Sequence, residues 1–442
     1  MAPDSLARMV GIRYFDRELR QEKIYFEGTH RTRSPAETIR ANRPLMSAMG
    51  ITRLANVTGL DYIGLPVYMS VRPNARTIAV SQGKGLNAAA AAASALMESI
   101  ELWHAEHYMG PVHVASYTDM IADPTKATLD VTGLPRPVEA PFSVEAPTGW
   151  TVGFDVMRQV PIWVPFDVAA TEWTTKKSWE SMFLESTNGL ASGNHFLEAV
   201  VHGLCEVIER DATCLWSLDG SATRTKGAQL DPDTVDDPHC RAVIELFRSA
   251  HIHVAMWDVT SDLGIPSYSV AILDEPGWHG RPLSHGSGTH LSPAIALLRA
   301  LTEAAQSRLT EIAGSRDDIP VYGYASRLDE AQAARIIRYF SRPSPRRDFR
   351  ARRSLTTSTF EDDVAVMLAA LEAAGITTVA VVDLSRPEIS IPVVKVIVPG
   401  LECGSHGGKE VTLGERGRRR LAELEALDVT RRVQKEQRIC AS

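Results

Sequence analysis

The chain has 442 residues, 44% of them hydrophobic and 23% charged, with a formal net charge of −7. This is enough apolar material for a large core spread over roughly two to three domain-sized units, and it excludes a disordered chain. The acidic balance argues against a general binder of nucleic-acid phosphate, though not against a small anionic ligand in a local basic pocket. The five cysteines (Cys205, Cys214, Cys240, Cys403 and Cys440) are odd in number and form no CxxC pair. They point to a reduced, cytoplasmic protein rather than a disulfide scaffold. The first thirty residues carry Arg8, Arg13, Arg17 and Arg20 without an apolar stretch, so no secretory signal is expected. Nor is a membrane span, since no run of about 18 uncharged apolar residues occurs.

Residues 1–45 are polar and charged and read as a partly ordered lead-in. Residues 51–82 read as strands, with β-branched and aromatic residues around Tyr62–Val71 and a turn at Pro73-Asn74. A long helix is expected from Asn87 to about His107. Residues 108–165, punctuated by Pro135, Pro137, Pro141 and Pro147, read as loops and short strands. The Gly-rich segment Asn188–Gly193 precedes a second long helix, about Phe196–Trp216. Strands are expected at 251–258 and 266–273, and a third helix from Pro293 to about Ile312, where proline at the first position costs little. Residues 341–354 form a basic loop. A helix at 360–374 and strands at 377–383 and 391–398 follow, and the tail from Gly414 reads as a charged helix.

The three long helices share a pattern. On the first, Ser94, Glu98 and Glu101 are spaced i, i+4, i+7 and fall within roughly 60° of one another. On the second, Glu198, His202, Glu206 and Glu209 form one stripe within about 80°, with Arg210 beside it. On the third, Arg299, Glu303 and Gln306 repeat the first spacing. One such stripe alone reads as a solvated face, but these helices are otherwise rich in alanine and larger apolar residues. Six glutamates converging in a cleft would repel unless cations screened them. Magnesium bridging nucleotide phosphates is the natural screen, and Arg210 and Arg299 suit phosphate oxygens. Asn194, just ahead of the second helix, lies where free backbone N–H groups can face an anion.

These residues resemble the YcaO family. Its first signature is similar to Ser94-x-x-x-Glu98-x-x-Glu101. The second is similar to Asn188-Gly189, Gly193-Asn194, Glu198-Ala199, Gly203-Leu204, Glu206 and Glu209-Arg210. The third is similar to Arg299-Ala300, Thr302-Glu303 and Gln306, and Pro399-Gly400-Leu401-Glu402 resembles the closing turn. The match spans roughly residues 50–405. It implies an α+β fold of mixed sheets and long helices, with an ATP-binding catalytic domain over 46–410 and a helical tail over 411–442. It also implies an enzyme that binds ATP and magnesium without a P-loop; the sequence indeed has no GxxxxGK[ST]. Such enzymes phosphorylate the oxygen of a peptide backbone amide, leaving an azoline, an amidine or a thioamide according to the nucleophile. By carry-over, Glu98, Glu101, Glu198, Glu209 and Glu303 would hold magnesium. Lys84, Ser94, Asn194, Arg210, Arg299 and Gln306 would contact nucleotide. Glu206 would stand close by the magnesium ions as a catalytic residue, and Glu402 is placed to position substrate. His202 is, by its position on the stripe, a candidate general base, with a hydrogen-bonded spectator as the bland reading.

Leu102 stands where many azoline-forming members carry arginine, and the sequence given lacks a PxPxP ending. The segment Gly83–Glu106 looks more like members that act with a TfuA-like partner and install thioamides from sulfide. The expected partners are therefore a precursor peptide or protein, a TfuA-like protein and a second copy of the chain. Azoline or amidine formation is the alternative, and a nucleotide-binding accessory without peptide chemistry is a third. Three smaller features have bland readings alongside functional ones. His104 and His107 read as a surface pair before a zinc pair. Cys403 reads as an idle thiol before a sulfur carrier. The arginines of 346–353 fit a leader-peptide or ATP-gating loop as well as a solvated one.

Overall fold

A computed structural model of the chain describes residues 12–140, 142–172, 174, 176–219, 228–276, 283–319, 328–342, 345–404 and 410–426. Cys440 and the end of the tail therefore lie outside the described residues.

The centre of the molecule is a six-stranded antiparallel sheet. It contains β8 (His113–Ala115), β9 (Thr148–Asp155), β10 (Val160–Pro165), β11 (Leu190–Ser192), β15 (Ala380–Asp383) and β16 (Val393–Ile397), in the order β10-β9-β15-β16-β11 with β8 also on β9. Both faces are buried, so the strands read as continuous apolar runs rather than alternations. Ala380, Val382, Val393 and Ile397 face one cluster with Leu96 and Ile100. Val381, Val394 and Val396 face another with Leu204, Ile208 and Leu368. The first cluster belongs to helix α2 (Ala88–Glu106). The second belongs to α3 (Phe196–Leu218) and α7 (Phe360–Ala373). A third core lies under β12 (Ile252–Asp258), β13 (Ser267–Asp274) and β14 (Ser284–Thr289), covered by α4 (Pro238–Ser249) and α5 (Pro293–Ala313).

Each expected long helix is present within two residues of its expected ends. Asn87 caps α2 by accepting from the Ala90 N–H at 2.9 Å. Glycines then bring each helix unusually close to a strand. A Cβ on Gly83, in β7 (Val80–Lys84), would lie 1.9 Å from the Ala95 nitrogen of α2. On β14, a Cβ on Gly286 would lie 2.3 Å from the Ala300 oxygen, and one on Gly288 would lie 2.1 Å from the Ala296 oxygen of α5. On α3 the glycine is in the helix: a Cβ on Gly203 would lie 2.7 Å from the Val396 side chain and 2.9 Å from the oxygen of Gly189, itself at φ +78°. Alanine at Gly286 must push the strand off the helix. We expect Gly286→Ala to cost about 3 kcal/mol of stability in urea unfolding; a variant as stable as the parent would mean the strand lifts off without penalty.

Four stretches differ from the sequence reading. Residues 12–45 form two hairpins, β1 (Ile12–Tyr14) with β2 (Arg17–Leu19) and β3 (Ile24–Phe26) with β4 (Thr29–Arg31), followed by helix α1 (Pro35–Asn42). Tyr14 is buried among Phe154 and Phe196. The stretch 108–165 holds the long strands β9 and β10; the prolines of β10 are tolerated because it is an edge strand. Helices α4 and α6 (Glu330–Phe340) also appear where none was read. The tail carries α8 over residues 415–426, fixed to α3 by Arg416, which reaches Asp211 at 2.9 Å. Among the described residues no helix is long and apolar enough to cross a membrane.

Candidate active site

The three helices converge on one cleft of about 2290 Å3. On α2, α3 and α5 the stripe positions Ser94, Glu98, Glu101, His202, Glu206, Arg299, Glu303 and Gln306 keep some exposure, while nearly all their neighbours are buried. What looks like a solvated stripe in sequence is the wall of a cavity. His202 and every residue carried over above from the resemblance line it except Glu402; His104, His107, Cys403 and the arginines of 346–353 do not.

The walls are tied together by polar contacts. Ser192 of β11 donates to Glu101 from its N–H at 2.9 Å and its hydroxyl at 2.7 Å. Lys84 meets Glu303 at 3.0 Å, and the Ser287 N–H donates to the other oxygen at 3.2 Å. Arg210 stands 3.9 Å from Glu206. Glu198 accepts from the Thr32 N–H and hydroxyl, both at 2.9 Å, and from Asn194 at 3.3 Å, with Arg31 3.6 Å away. Arg31 and Thr32 come from the first 45 residues, and sequence reasoning missed them. Their only signal is a pair of arginines, Arg31 and Arg33, in a stretch that carries several others. Ser192, also missed, lies within the Gly-rich segment and was findable there.

Protein surrounds these carboxylates even where their tips reach the cleft. Burial pushes Glu98 up to about 7 and Glu101 up to about 8, despite the bonds from Ser192. Burial and then the neighbouring Glu303 push Glu209 up to about 7, and burial raises Glu206 as well. Glu303 goes the other way: burial alone would raise it, but Lys84 and Arg210 hold it below the usual range. The cleft therefore carries more carboxylate than its own cations neutralise. Among the described residues no three His, Cys, Asp or Glu form a closed metal cluster. The donors are hard oxygens on opposite walls, interleaved with Lys84, Arg210 and Arg299. That set fits magnesium ions that keep water and phosphate among their ligands, rather than an all-protein cage.

His202 is not placed as a proton acceptor. Its Nε2 takes a hydrogen bond from Arg299 at 3.1 Å, and burial together with Arg299 holds its pKa well below the ordinary range. The ring is neutral and orients the guanidinium. Accordingly, His202→Ala should raise the KM for ATP about tenfold with little change in kcat. His202→Gln, which restores an acceptor, should behave like the parent, and neither should move the kcat–pH profile. A displaced acid limb would reinstate His202 as a base.

Glu402 faces away from the cleft. Its carboxylate accepts the N–H groups of Gly414 at 2.9 Å and Gly417 at 2.7 Å, fixing the tail. The arginine loop also turns elsewhere: Arg347 and Arg352 pair with Asp258 at 3.1 and 2.6 Å. His104 and His107 bond to their own helix carbonyls, both at 2.8 Å. Burial pushes the Cys403 thiol up to about 12, away from thiolate chemistry.

Residues 82–402 match the family model described as YcaO cyclodehydratase, ATP- and Mg2+-binding. The chain belongs to the YcaO family. A curated relative from Rhizobium leguminosarum bv. trifolii, described as an uncharacterized protein in the tfuA 3' region, is 35% identical over 87% of this chain and 91% of its own length. Among solved structures, the YcaO from Methanopyrus kandleri bound with AMPPCP and Mg2+ superposes with a TM-score of 0.68 at 22% identity, over 89% of this chain and 99% of that one. A heterocyclase in complex with substrate and cofactor gives 0.72 at 21% identity, over 90% of this chain and 56% of that one. The family's ATP- and Mg2+-binding character agrees with the donor set of the cleft.

Proposed function

We propose that this YcaO protein activates backbone amides of a ribosomally made peptide or protein and installs thioamides, together with a TfuA-like partner. The observation that carries the thioamide reading is the 35% identity, over nearly the whole chain, to a protein encoded beside tfuA. When bound, Mg·ATP supplies the phosphoryl group that turns an amide oxygen into a leaving group.

The chain's own residues do the rest by charge and alignment. Glu98, Glu101, Glu198, Glu209 and Glu303 would hold the magnesium ions. Lys84, released from Glu303, would meet phosphate oxygens with Arg210 and Arg299, the last oriented by His202. Ser94, Asn194 and Gln306 would contact the rest of the nucleotide. Glu206 stands closest to Arg210 and would keep that guanidinium aimed. The family's description as cyclodehydratases favours a second reading, closure to an azoline or amidine.

Mass measurement separates the two. With ATP, magnesium, sulfide, the peptides encoded beside the gene and the TfuA-like protein, we expect a sulfide-dependent exchange of one oxygen for one sulfur. Loss of one water instead would move the chain to the azoline or amidine class. No change, with nucleotide still bound, would leave an accessory role. A homodimer is expected, and light scattering would report it.

A further inference from the structure

The cleft is larger than a nucleotide needs. At about 2290 Å3 it is more than twice the upper end of ordinary small-ligand sites, about 300–1,000 Å3. Its walls also change character along its length. One part holds the carboxylates and cations described above. The other runs between residues 137–140 and 146–147 on one side and 176–190 on the other, and is lined by Pro137, Pro147, Trp179, Phe183, Leu184 and Leu190. The two parts meet at β11. Leu190 lines the apolar part, and Ser192, on the same side of the strand, donates to Glu101.

This second part is preformed although its walls are largely loops. The Val138 N–H donates to the Glu410 carbonyl at 3.0 Å, the Thr412 N–H to Arg136 at 2.9 Å, and the Leu184 N–H to Pro135 at 3.1 Å. Trp179 is fixed on three sides. Its indole N–H lies 3.2 Å from both Asp167 oxygens, and its ring meets Phe166 edge-on at 5.8 Å. It also packs on bare backbone at Gly149, where a Cβ would lie 2.4 Å from the ring. The outer end is acidic. Glu139, Glu180 and Glu410 are exposed, line the cleft and have no ion-pair partner among the described residues, against Lys176 on this side; Arg33, the other such cation, follows Thr32 beside Glu198 at the carboxylate end. Glu172 and Glu185 are already tied to Arg76 and Lys177. A second polyphosphate would be repelled here.

Resting on the reading that the chain modifies peptide amides, we infer that this apolar part of the cleft is the acceptor groove for an extended peptide segment, with Trp179 as its wall and cationic side chains favoured at its outer end. A fixed aromatic face gives contact area without ordering cost. The rim carboxylates select for Lys or Arg flanking the modified residue. The chain then brings an amide past Leu190 to the carboxylate end.

The test uses a fluorescein-labelled dodecapeptide of repeated Gly-Arg-Ala and its Gly-Glu-Ala counterpart. Binding to the full chain is read by anisotropy, with magnesium and a non-hydrolysable ATP analogue. The arginine peptide should bind at least about tenfold tighter than the glutamate one. Trp179→Ala and the triple variant Glu139→Gln/Glu180→Gln/Glu410→Gln should each weaken it about tenfold, with analogue affinity unchanged. The exposed control Glu245→Gln/Glu330→Gln/Glu372→Gln should bind like the parent. The triple rim variant keeps the test valid if Trp179→Ala fails to fold. Equal binding of both peptides, or parental binding by the groove variants, overturns the inference. So does a groove variant that loses only capture of the TfuA-like protein, which would assign this surface to the partner. If the analogue itself does not bind, the ATP reading fails instead, and the same titration without nucleotide still decides the groove.

Discussion

Replacing Glu209 by glutamine is expected to lower ATP turnover about a thousandfold while making the unliganded protein more stable. The two effects share one cause. Glu209 is buried on α3, and burial plus Glu303 raises its carboxyl to about 7. At pH 8 the unliganded fold therefore holds an anion it disfavours. Glutamine has the same shape and no charge, so removing the anion should add about 1–3 kcal/mol. Magnesium with nucleotide repays that anion in the parent and has nothing to repay in the variant. Thermal unfolding with and without magnesium and the ATP analogue would read both effects. The variant should begin with the higher Tm and gain far less on adding ligand. A folded variant that keeps turnover would remove Glu209 from the metal site; one that melts earlier than the parent would show that the carboxylate is a structural anchor.

The parts of this site legible in the sequence are those that one helix carries alone. A stripe spaced i, i+4, i+7 on an alanine-rich helix is visible without knowing what faces it. This is why Glu98, Glu101, Glu206, Glu209 and Glu303 were readable as one group. The invisible parts depend on distant chain. Glu198 meets Thr32 across 166 positions, and nothing local in Arg31-Thr32 announces that. Glu402 sits in a turn that resembles a site motif, yet Gly414 and Gly417, further along, claim its carboxylate. Some misses were avoidable. Ser34-Pro35-Ala36-Glu37 is a capping box, with Ser34 accepting from the Glu37 N–H at 3.3 Å, and it announces α1 inside a stretch read as a lead-in. Asp237 followed by Pro238 announces α4 in the same way. Strand β9 was hidden because it is buried on both faces and followed by a proline-bearing edge strand, so neither alternation nor composition marked it.

Stability of the unliganded protein is expected to fall between about pH 6.5 and 8, and nucleotide binding to strengthen over the same window. Glu98, Glu101 and Glu209 are raised to about 7, 8 and 7 in the fold, against about 4.3 in an unfolded chain. Each contributes fully below the unfolded value, and its contribution is lost as pH rises through the folded one, because the unfolded chain ionises first. Glu303, held low beside Lys84, acts oppositely, but only at acid pH. The buried neutral histidines His202 and His290 also act oppositely; their effect is complete once unfolded histidine deprotonates near 6.5. Above that pH the glutamates dominate, opposed in part by Lys395, whose burial lowers its ammonium to about 8, and the net drop to pH 8 should be about 1–3 kcal/mol. Metal ions need the ionised carboxylates, so binding magnesium and the ATP analogue at pH 7 should expel about one to two protons. Calorimetry in buffers of different ionisation enthalpy measures that release. Stability rising through the window, or binding without proton release, would mean that these glutamates are already ionised and matched by the chain's own cations.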